Sequence, residues 1–302
     1  MNGWTLLTAC MLLAAVATSG RAAEESVTRT QNGTLILRSF KNAPYPHASR
    51  AEGFTRGGVT YPAAEHYSDS TVGLFIPKDF HPGKRTDFVF HFHGHVNHVS
   101  QVIASYDLEG QMVKSGRNAI LVVPQGPKDV PDSGGGHLEL DPGGFQALVE
   151  EIAAYLAETG RIPSPAIGRI IVGGHSGGYA TVSGILQRGG MNDHITDVLL
   201  YDSSYGELAG FADWIQGGSG RRLISIFTEH LASANVQLMA MLTQRGVPFR
   251  VMLEPDATDD ILRRRGALFL HTLDLAHNDV LGKKDTFARW LRTSGLAAVS
   301  AD

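Results

Sequence analysis

Short apolar runs alternate with stretches of helical spacing along most of the chain. The runs are rich in Val, Ile, Leu and Phe and have the length and composition of buried strands. They predict strands at residues 34–40, 71–77, 87–93, 118–124, 169–172, 197–201, 222–227, 249–253 and 267–271. Apolar residues three and four positions apart predict helices at 99–114, 145–159, 181–188, 207–215, 233–245 and 286–293.

This alternation of strands and helices indicates an α/β fold. Right-handed crossovers produce a mainly parallel central sheet with helices on both faces. No helix separates the first two predicted strands, so we expect an antiparallel edge there. The pattern leaves open which of the last two strands ends the parallel part. The polar residues 24–34 predict a frayed segment, and residues 41–68 and 126–144 predict long irregular loops rich in Gly and Pro.

Composition and charge narrow the class of protein. The 302 residues are 43% apolar and 19% charged, which is typical of a globular protein. No internal repeat or linker interrupts the pattern, so residues 24–302 are predicted to form a single domain. The net charge of −4 provides no excess of Lys and Arg, which argues against nucleic acid as a partner.

The first residues are typical of a targeting segment. Residues 6–16 form an apolar core, and the small residues Gly20 and Ala22 suit cleavage nearby. We therefore predict a signal peptide at residues 1–23, a secreted or periplasmic protein and no stable membrane insertion. Lipoprotein anchoring at Cys10 is the less favoured alternative, because the apolar run continues past this only cysteine.

The strongest chemical motif is a serine between glycines. Residues 174–178 read Gly-His-Ser-Gly-Gly and fit G-x-S-x-G, the nucleophile elbow, with Ser176 at its centre. A predicted strand precedes the motif and a predicted helix follows at once, as an elbow requires. A serine hydroxyl is a poor nucleophile at neutral pH, so catalysis would also need a nearby base.

The histidines around the third predicted strand suggest metal binding as an alternative. On a strand, His91, His93 and His95 share one face, and His98 is close by. Their side chains step by about 7 Å along an extended strand, which is too far for all three to ligate one ion. No acidic ligand lies between His91 and Val99. We therefore predict neither a metal nor another cofactor.

From about residue 34 to residue 295 the chain resembles the α/β-hydrolase superfamily. The serine motif follows the fifth predicted strand, His93-Gly94-His95 follows the third, and a histidine lies after the last strand. The resemblance implies an α/β-hydrolase fold with Ser176 as the nucleophile. It also implies an oxyanion hole made by the backbone N–H of Gly177 and that of Gly94 or His95.

The resemblance also implies a histidine base and an acidic residue that orients it. His277 lies in a loop before the final predicted helix, and we favour it over His271, which falls within an apolar run. The acid is either Asp202 or Glu229, at the ends of two successive predicted strands. We favour Asp202, because it directly follows its strand. Ligands in α/β folds bind at the carboxyl ends of the parallel strands.

These residues predict a serine hydrolase that forms an acyl-enzyme, with a small or polymeric carboxylic ester as substrate. A peptidase or amidase of the same fold is one alternative, and a catalytically silent binding protein is another. Loops 41–68 and 126–144 are expected beside the site. Tyr179, Tyr205 and Trp214 are either pocket residues or, as is more usual for aromatics, part of the core.

Overall fold

The computed structural model describes residues 25–134 and 136–299. The predicted signal peptide at residues 1–23, including Cys10, lies outside the described residues and stays a prediction. In the part of the chain that is described, no helix is both long and apolar enough to cross a membrane.

Strands and helices alternate along the described chain. The strands are β1 Glu25–Arg29, β2 Gly33–Ser39, β3 Phe54–Arg56, β4 Val59–Tyr61, β5 Thr71–Pro77, β6 Thr86–Phe92, β7 Ile120–Pro124, β8 Ile167–His175, β9 Ile195–Tyr201, β10 Arg222–Phe227, β11 Phe249–Leu253 and β12 Gly266–His271. The helices are α1 Ala63–His66, α2 Val99–Ser105, α3 Leu108–Lys114, α4 His137–Leu140, α5 Gly144–Glu158, α6 Tyr179–Arg188, α7 Leu208–Gln216, α8 Ala232–Gln244, α9 Asp259–Leu262 and α10 Thr286–Arg292.

Within these residues one ten-stranded sheet has the order β1-β2-β5-β7-β6-β8-β9-β10-β12-β11. From β7 to β11 all neighbouring strands are parallel. The pairs β1–β2, β2–β5 and β5–β7 are antiparallel. The pair β2–β5 joins the first two predicted strands, for which an antiparallel edge was expected. The last two strands, β11 and β12, both belong to the parallel part of the sheet. β12 lies between β10 and β11, and β11 is the edge strand. The prediction of a mainly parallel α/β sheet is confirmed.

Two apolar layers cover the sheet because successive side chains of a strand point to opposite faces. Phe88 and Phe90 of β6 pack with α5, α6, α7 and α8 on one face. Val89, between them, packs with α2, α3 and α10 on the other face. The central strands are therefore buried on both sides, which explains why their sequences are continuous apolar runs.

The structure corrects the predictions for three connecting segments and for one helix. Residues 25–29 are not frayed but form β1, an edge strand that is exposed along its whole length. Residues 41–68 contain the β3–β4 hairpin and α1, and residues 126–144 contain α4. The predicted helix at 99–114 is broken at Asp107, which has a φ of +47° and whose carboxylate caps α3 by accepting from the N–H of Gly110.

Candidate active site

Ser176 lies directly after β8, at the edge of the sheet where the parallel strands end. Its φ of +53° is a left-handed conformation that a residue with a side chain seldom adopts. A 3-10 turn, Ser176–Gly178, leads from it into α6. A side chain at Gly178 would collide with the carbonyl oxygen of Phe92, so the turn needs glycine there. This is the strained strand-turn-helix geometry of a nucleophile elbow.

His277 and Asp202 are in direct contact. His277 Nδ1 lies 2.7 Å from Asp202 Oδ2. The Asp202 side chain has 0% exposure and also accepts from the backbone N–H and the hydroxyl of Thr228, both at 2.8 Å. Burial raises the pKa of this carboxyl, but the hydrogen bonds from His277 and Thr228 outweigh burial and lower its pKa overall. Asp202 is therefore an anion that holds the imidazole by Nδ1.

Glu229 lies elsewhere. Its side chain is 87% exposed, and the nearest basic group is His271 Nε2, at 3.3 Å. His271 stacks on Phe227, with ring centroids 5.0 Å apart, at the end of β10. The structure thus brings Asp202, and not Glu229, to His277, and it leaves His271 away from Asp202.

The second nitrogen of His277 is free. Among the described residues Nε2 has no hydrogen-bond partner, and the side chain is 29% exposed. The His277 ring meets the ring of Tyr205 edge-on, with centroids 6.2 Å apart. Tyr205 and Ser176 line the same cavity. His277 therefore packs against a residue that lines the cavity of Ser176, and its Nε2 is available for a proton.

His175, the variable residue of the elbow motif, supports His277. Its ring stacks on that of His277 with centroids 4.8 Å apart, and its Nε2 lies 3.0 Å from the His277 carbonyl oxygen. Burial lowers the pKa of His175 to about 4, so at neutral pH the ring is uncharged and its proton is on Nε2. Sequence reasoning missed this residue, although its position next to Ser176 was a usable signal.

A second histidine reaches Asp202 indirectly. Thr228 uses its hydroxyl hydrogen to bond Asp202, so the contact of 2.6 Å between its oxygen and His230 Nδ1 requires His230 to donate. In a neutral imidazole, His230 Nε2 then accepts from the Tyr205 hydroxyl, 2.7 Å away. These hydrogen bonds hold Tyr205 at the cavity. Of the two histidines, His277 is the one within hydrogen-bonding distance of Asp202, because His230 Nδ1 lies 3.7 Å from Asp202 Oδ2.

The loop after β6 lies against the elbow. A Cβ on Gly94 would be 2.6 Å from the Cβ of Ser176, and a Cβ on Gly177 would be 2.7 Å from the ring of His95. In the described chain no backbone carbonyl accepts from the N–H of Gly94 or His95. The N–H of Gly177 stands at the start of the helical segment, where intrahelical acceptors are lacking. Gly177 directly follows Ser176, and Gly94 packs against the Ser176 side chain.

His93 fixes this loop. Its Nδ1 donates to the carbonyl oxygen of Gly94 at 2.8 Å, and its Nε2 accepts from the N–H of Gly126 at 2.9 Å. Gln125 Nε2 lies 3.1 Å from the same nitrogen. Burial lowers the pKa of His93, so it remains neutral. The ends of β6 and β7 are thereby joined behind the Gly94 turn.

The histidines considered as metal ligands do not converge. His91 is buried with both ring nitrogens unpartnered, His93 is engaged as described above, and His95 Nε2 lies 2.7 Å from Ser133 Oγ. The clusters of possible ligands found within residues 25–134 and 136–299 contain none of the three. One cluster is Asp202, His230 and His277, and the other is His47, His137 and Asp141.

A cavity of about 590 Å³ opens above Ser176. Both predicted loops contribute to it, as expected. Its lining consists of Phe54, Arg56, His95, Pro131, Asp132, Ser133, Ser176, Gly177, Tyr179 and Tyr205. Trp214 is 2% exposed and belongs to the core, so of the three candidate aromatics only the two tyrosines line the cavity.

The sheet order, the helices on both faces and the elbow after β8 define the α/β-hydrolase fold. A solved structure, the feruloyl esterase module from Clostridium thermocellum, has a similar fold. The two structures match with a TM-score of 0.51 and 13% sequence identity, over 88% of this chain and 87% of that one. An S-formylglutathione hydrolase from Staphylococcus aureus matches with a TM-score of 0.41 and 11% sequence identity, over 90% of this chain and 98% of that one. No family model and no curated protein sequence matches the chain.

Proposed function

We propose that the protein is a serine esterase. The observation that carries this proposal is the contact between His277 Nδ1 and the buried Asp202 carboxylate, beside the cavity in which Ser176 holds its left-handed turn. A neutral histidine oriented in this way can accept a proton at Nε2, and the anion opposite stabilises the imidazolium that results.

The proposed reaction has two stages. Ser176 Oγ attacks the ester carbonyl carbon while its proton passes to His277 Nε2. The carbon–oxygen bond to the alcohol then breaks, and the same proton leaves on the alcohol. Water repeats the sequence on the acyl-enzyme and releases the acid. The N–H groups of Gly177 and of Gly94 or His95 would stabilise the oxyanion, each worth about 3 kcal/mol.

Esters are favoured over amides as substrates, and the solved structure that resembles this chain at a TM-score of 0.51 is named as a feruloyl esterase module. An alkoxide is a better leaving group than an amine, so a site of this kind cleaves esters with less assistance. Secretion, which rests on residues 1–23 alone, belongs to the same proposal. A peptidase or a silent binding protein would give different results in the experiment below.

Labelling with a fluorophosphonate tests the nucleophile. The wild-type protein should become labelled on Ser176, Ser176→Ala should remain unlabelled, and Ser133→Ala should label normally although Ser133 lines the same cavity. The p-nitrophenyl acetate activity should follow the labelling, and p-nitroanilide substrates should react far more slowly. A folded wild-type protein that neither labels nor cleaves esters would contradict the proposal and favour a binding protein.

A further inference from the structure

One wall of the cavity carries a cation that has no anionic partner among the described residues. Arg56, at the end of β3, is exposed and lines the cavity. One of its nitrogens, Nη1, donates to the carbonyl oxygen of Pro131 at 2.7 Å, which ties the hairpin to the opposite loop. Among the described residues no carboxylate lies within ion-pair distance of Arg56, so its other guanidinium N–H groups are available to a ligand.

The other charged residue of the lining, Asp132, is already neutralised. Arg50 contacts both of its carboxylate oxygens, with Nε 2.8 Å from Oδ2 and Nη2 3.2 Å from Oδ1. The Tyr67 hydroxyl and the Ser133 N–H donate to the same carboxylate at 2.9 Å and 2.8 Å. Its side chain is only 9% exposed. Asp132 therefore does not offset the charge of Arg56.

The nearby histidine adds no competing charge. Burial lowers the pKa of His95, and the positive charge of Arg56 lowers it further, so His95 is neutral at neutral pH. Asp202 lies behind His277, which it binds directly. Of the described residues that line the cavity around Ser176, one thus carries an uncompensated charge, and that charge is positive.

The space between Arg56 and Ser176 has aromatic walls. Phe54 stands on the same strand as Arg56, and Tyr179 and Tyr205 line the cavity with their ring centroids 5.8 Å apart. Such surfaces suit the apolar part of a ligand whose far end is polar. A ligand that fills this space would place one end at the Ser176 hydroxyl and the other at the guanidinium.

We propose that Arg56 makes the site selective for esters that carry a second, anionic group, a carboxylate, at the end remote from the ester bond. The inference rests on the proposed esterase function of Ser176. Guanidinium groups bind carboxylates with two parallel hydrogen bonds. Because Arg56 is exposed, its attraction is moderate and weakened by salt.

Matched substrates test this selectivity. The monoanionic p-nitrophenyl hydrogen glutarate has nearly the same chain length as the neutral p-nitrophenyl pentanoate. We expect kcat/KM of the wild-type protein to be about two- to fivefold higher for the anionic ester, which is the gain from one exposed ion pair. In Arg56→Gln this ratio should fall to about one, through a higher KM for the anionic ester alone, and 0.5 M NaCl should reduce the wild-type ratio. Arg56→Lys should retain part of the preference.

Arg264→Gln is the control, because this exposed arginine lies outside the cavity. It should keep the wild-type ratio. Equal ratios in the wild-type protein and Arg56→Gln would overturn the proposal, as would an equal loss of activity on both esters.

A binding measurement separates this inference from the esterase function. In Ser176→Ala, calorimetry should show tighter binding of 4-phenylbutyrate than of its neutral amide, and Arg56→Gln in that background should abolish the difference. This comparison requires no turnover. If neither ester is hydrolysed but the anion is still preferred, the esterase proposal fails and the anion site stands. If both ligands bind equally, the anion site fails.

Discussion

Asp202 and His277 are 75 positions apart in the sequence, yet Asp202 Oδ2 and His277 Nδ1 are 2.7 Å apart in the fold. The end of β9 supplies the first residue, and the loop after β12 supplies the second. Since β10 separates these strands in the sheet, the loop must cross over the end of β10, where Thr228 binds the same carboxylate. Three strand ends thus meet at one buried anion.

The first prediction concerns this carboxylate. Asp202→Asn should lower kcat/KM for p-nitrophenyl esters by about 10³- to 10⁴-fold, because an amide can stabilise neither the required tautomer nor the imidazolium. Glu229→Gln is the matched control and should change kcat/KM by less than about twofold, since its carboxylate is exposed. A large loss in Glu229→Gln with little loss in Asp202→Asn would reverse the assignment.

The second prediction distinguishes the two histidines near Asp202. His277→Ala should lower kcat by about 10⁴-fold or more, because no other base among the described residues is hydrogen-bonded to the carboxylate. His230 Nδ1 lies 3.7 Å from Asp202 Oδ2, beyond hydrogen-bonding distance, and bonds Thr228 instead, and the His230 side chain is 47% exposed. His230→Ala should therefore cost less than about tenfold. Comparable losses in the two variants, with both proteins folded by circular dichroism, would make His230 a second essential group.

The third prediction concerns the close approach of the loop after β6. A Cβ at Gly94 would come within 2.6 Å of the Cβ of Ser176, so Gly94→Ala must displace the elbow or the loop. We expect kcat to fall by about 100-fold, the cost of a displacement of about 1 Å at a reacting group. Gly220→Ala is the control, because no atom lies within 4 Å of that added Cβ. Unchanged kcat in Gly94→Ala would indicate that the loop does not contribute to catalysis.

The sequence predicted the buried part of the fold well, because buried strands carry continuous apolar runs. It missed β1, whose residues are exposed along the whole strand, so no apolar pattern marks it. It also missed the break at Asp107, because a single left-handed residue leaves the helical spacing on either side intact.

The site was predictable only as far as chain order constrains it. The elbow motif marked Ser176, and the order of the residues marked His277. The choice between Asp202 and Glu229 depended on where the loop that carries His277 lies relative to the ends of β9 and β10. No local sequence pattern contains this information. For the same reason the sequence did not reveal that Arg50 pairs with Asp132, 82 positions away, and that Arg56 has no carboxylate partner among the described residues.

The fourth prediction concerns a buried histidine that the proposed reaction does not use. His91 packs between Tyr201 and Phe287, with ring centroids 6.2 Å and 5.9 Å away, and burial lowers its pKa from 6.5 to about 3. The unfolded chain therefore binds a proton more readily than the folded protein. The effect of His91 on the free energy of unfolding follows from this difference. That free energy is highest above about pH 6.5, where the ring is uncharged in both states, and it decreases as the pH falls towards 3.

Between pH 7 and pH 5 this single group should cost about 2 kcal/mol of unfolding free energy. His91→Leu should remove that part of the loss, whereas His81→Gln, at an exposed position, should retain it. Urea unfolding at the two pH values measures the difference. Burial also lowers the pKa of His175, to about 4, so this residue likewise decreases the free energy of unfolding at acidic pH. Because both variants retain His175, some acid sensitivity should remain in His91→Leu. Identical pH dependence in His91→Leu and the wild-type protein would mean that His91 is not buried as an uncharged ring.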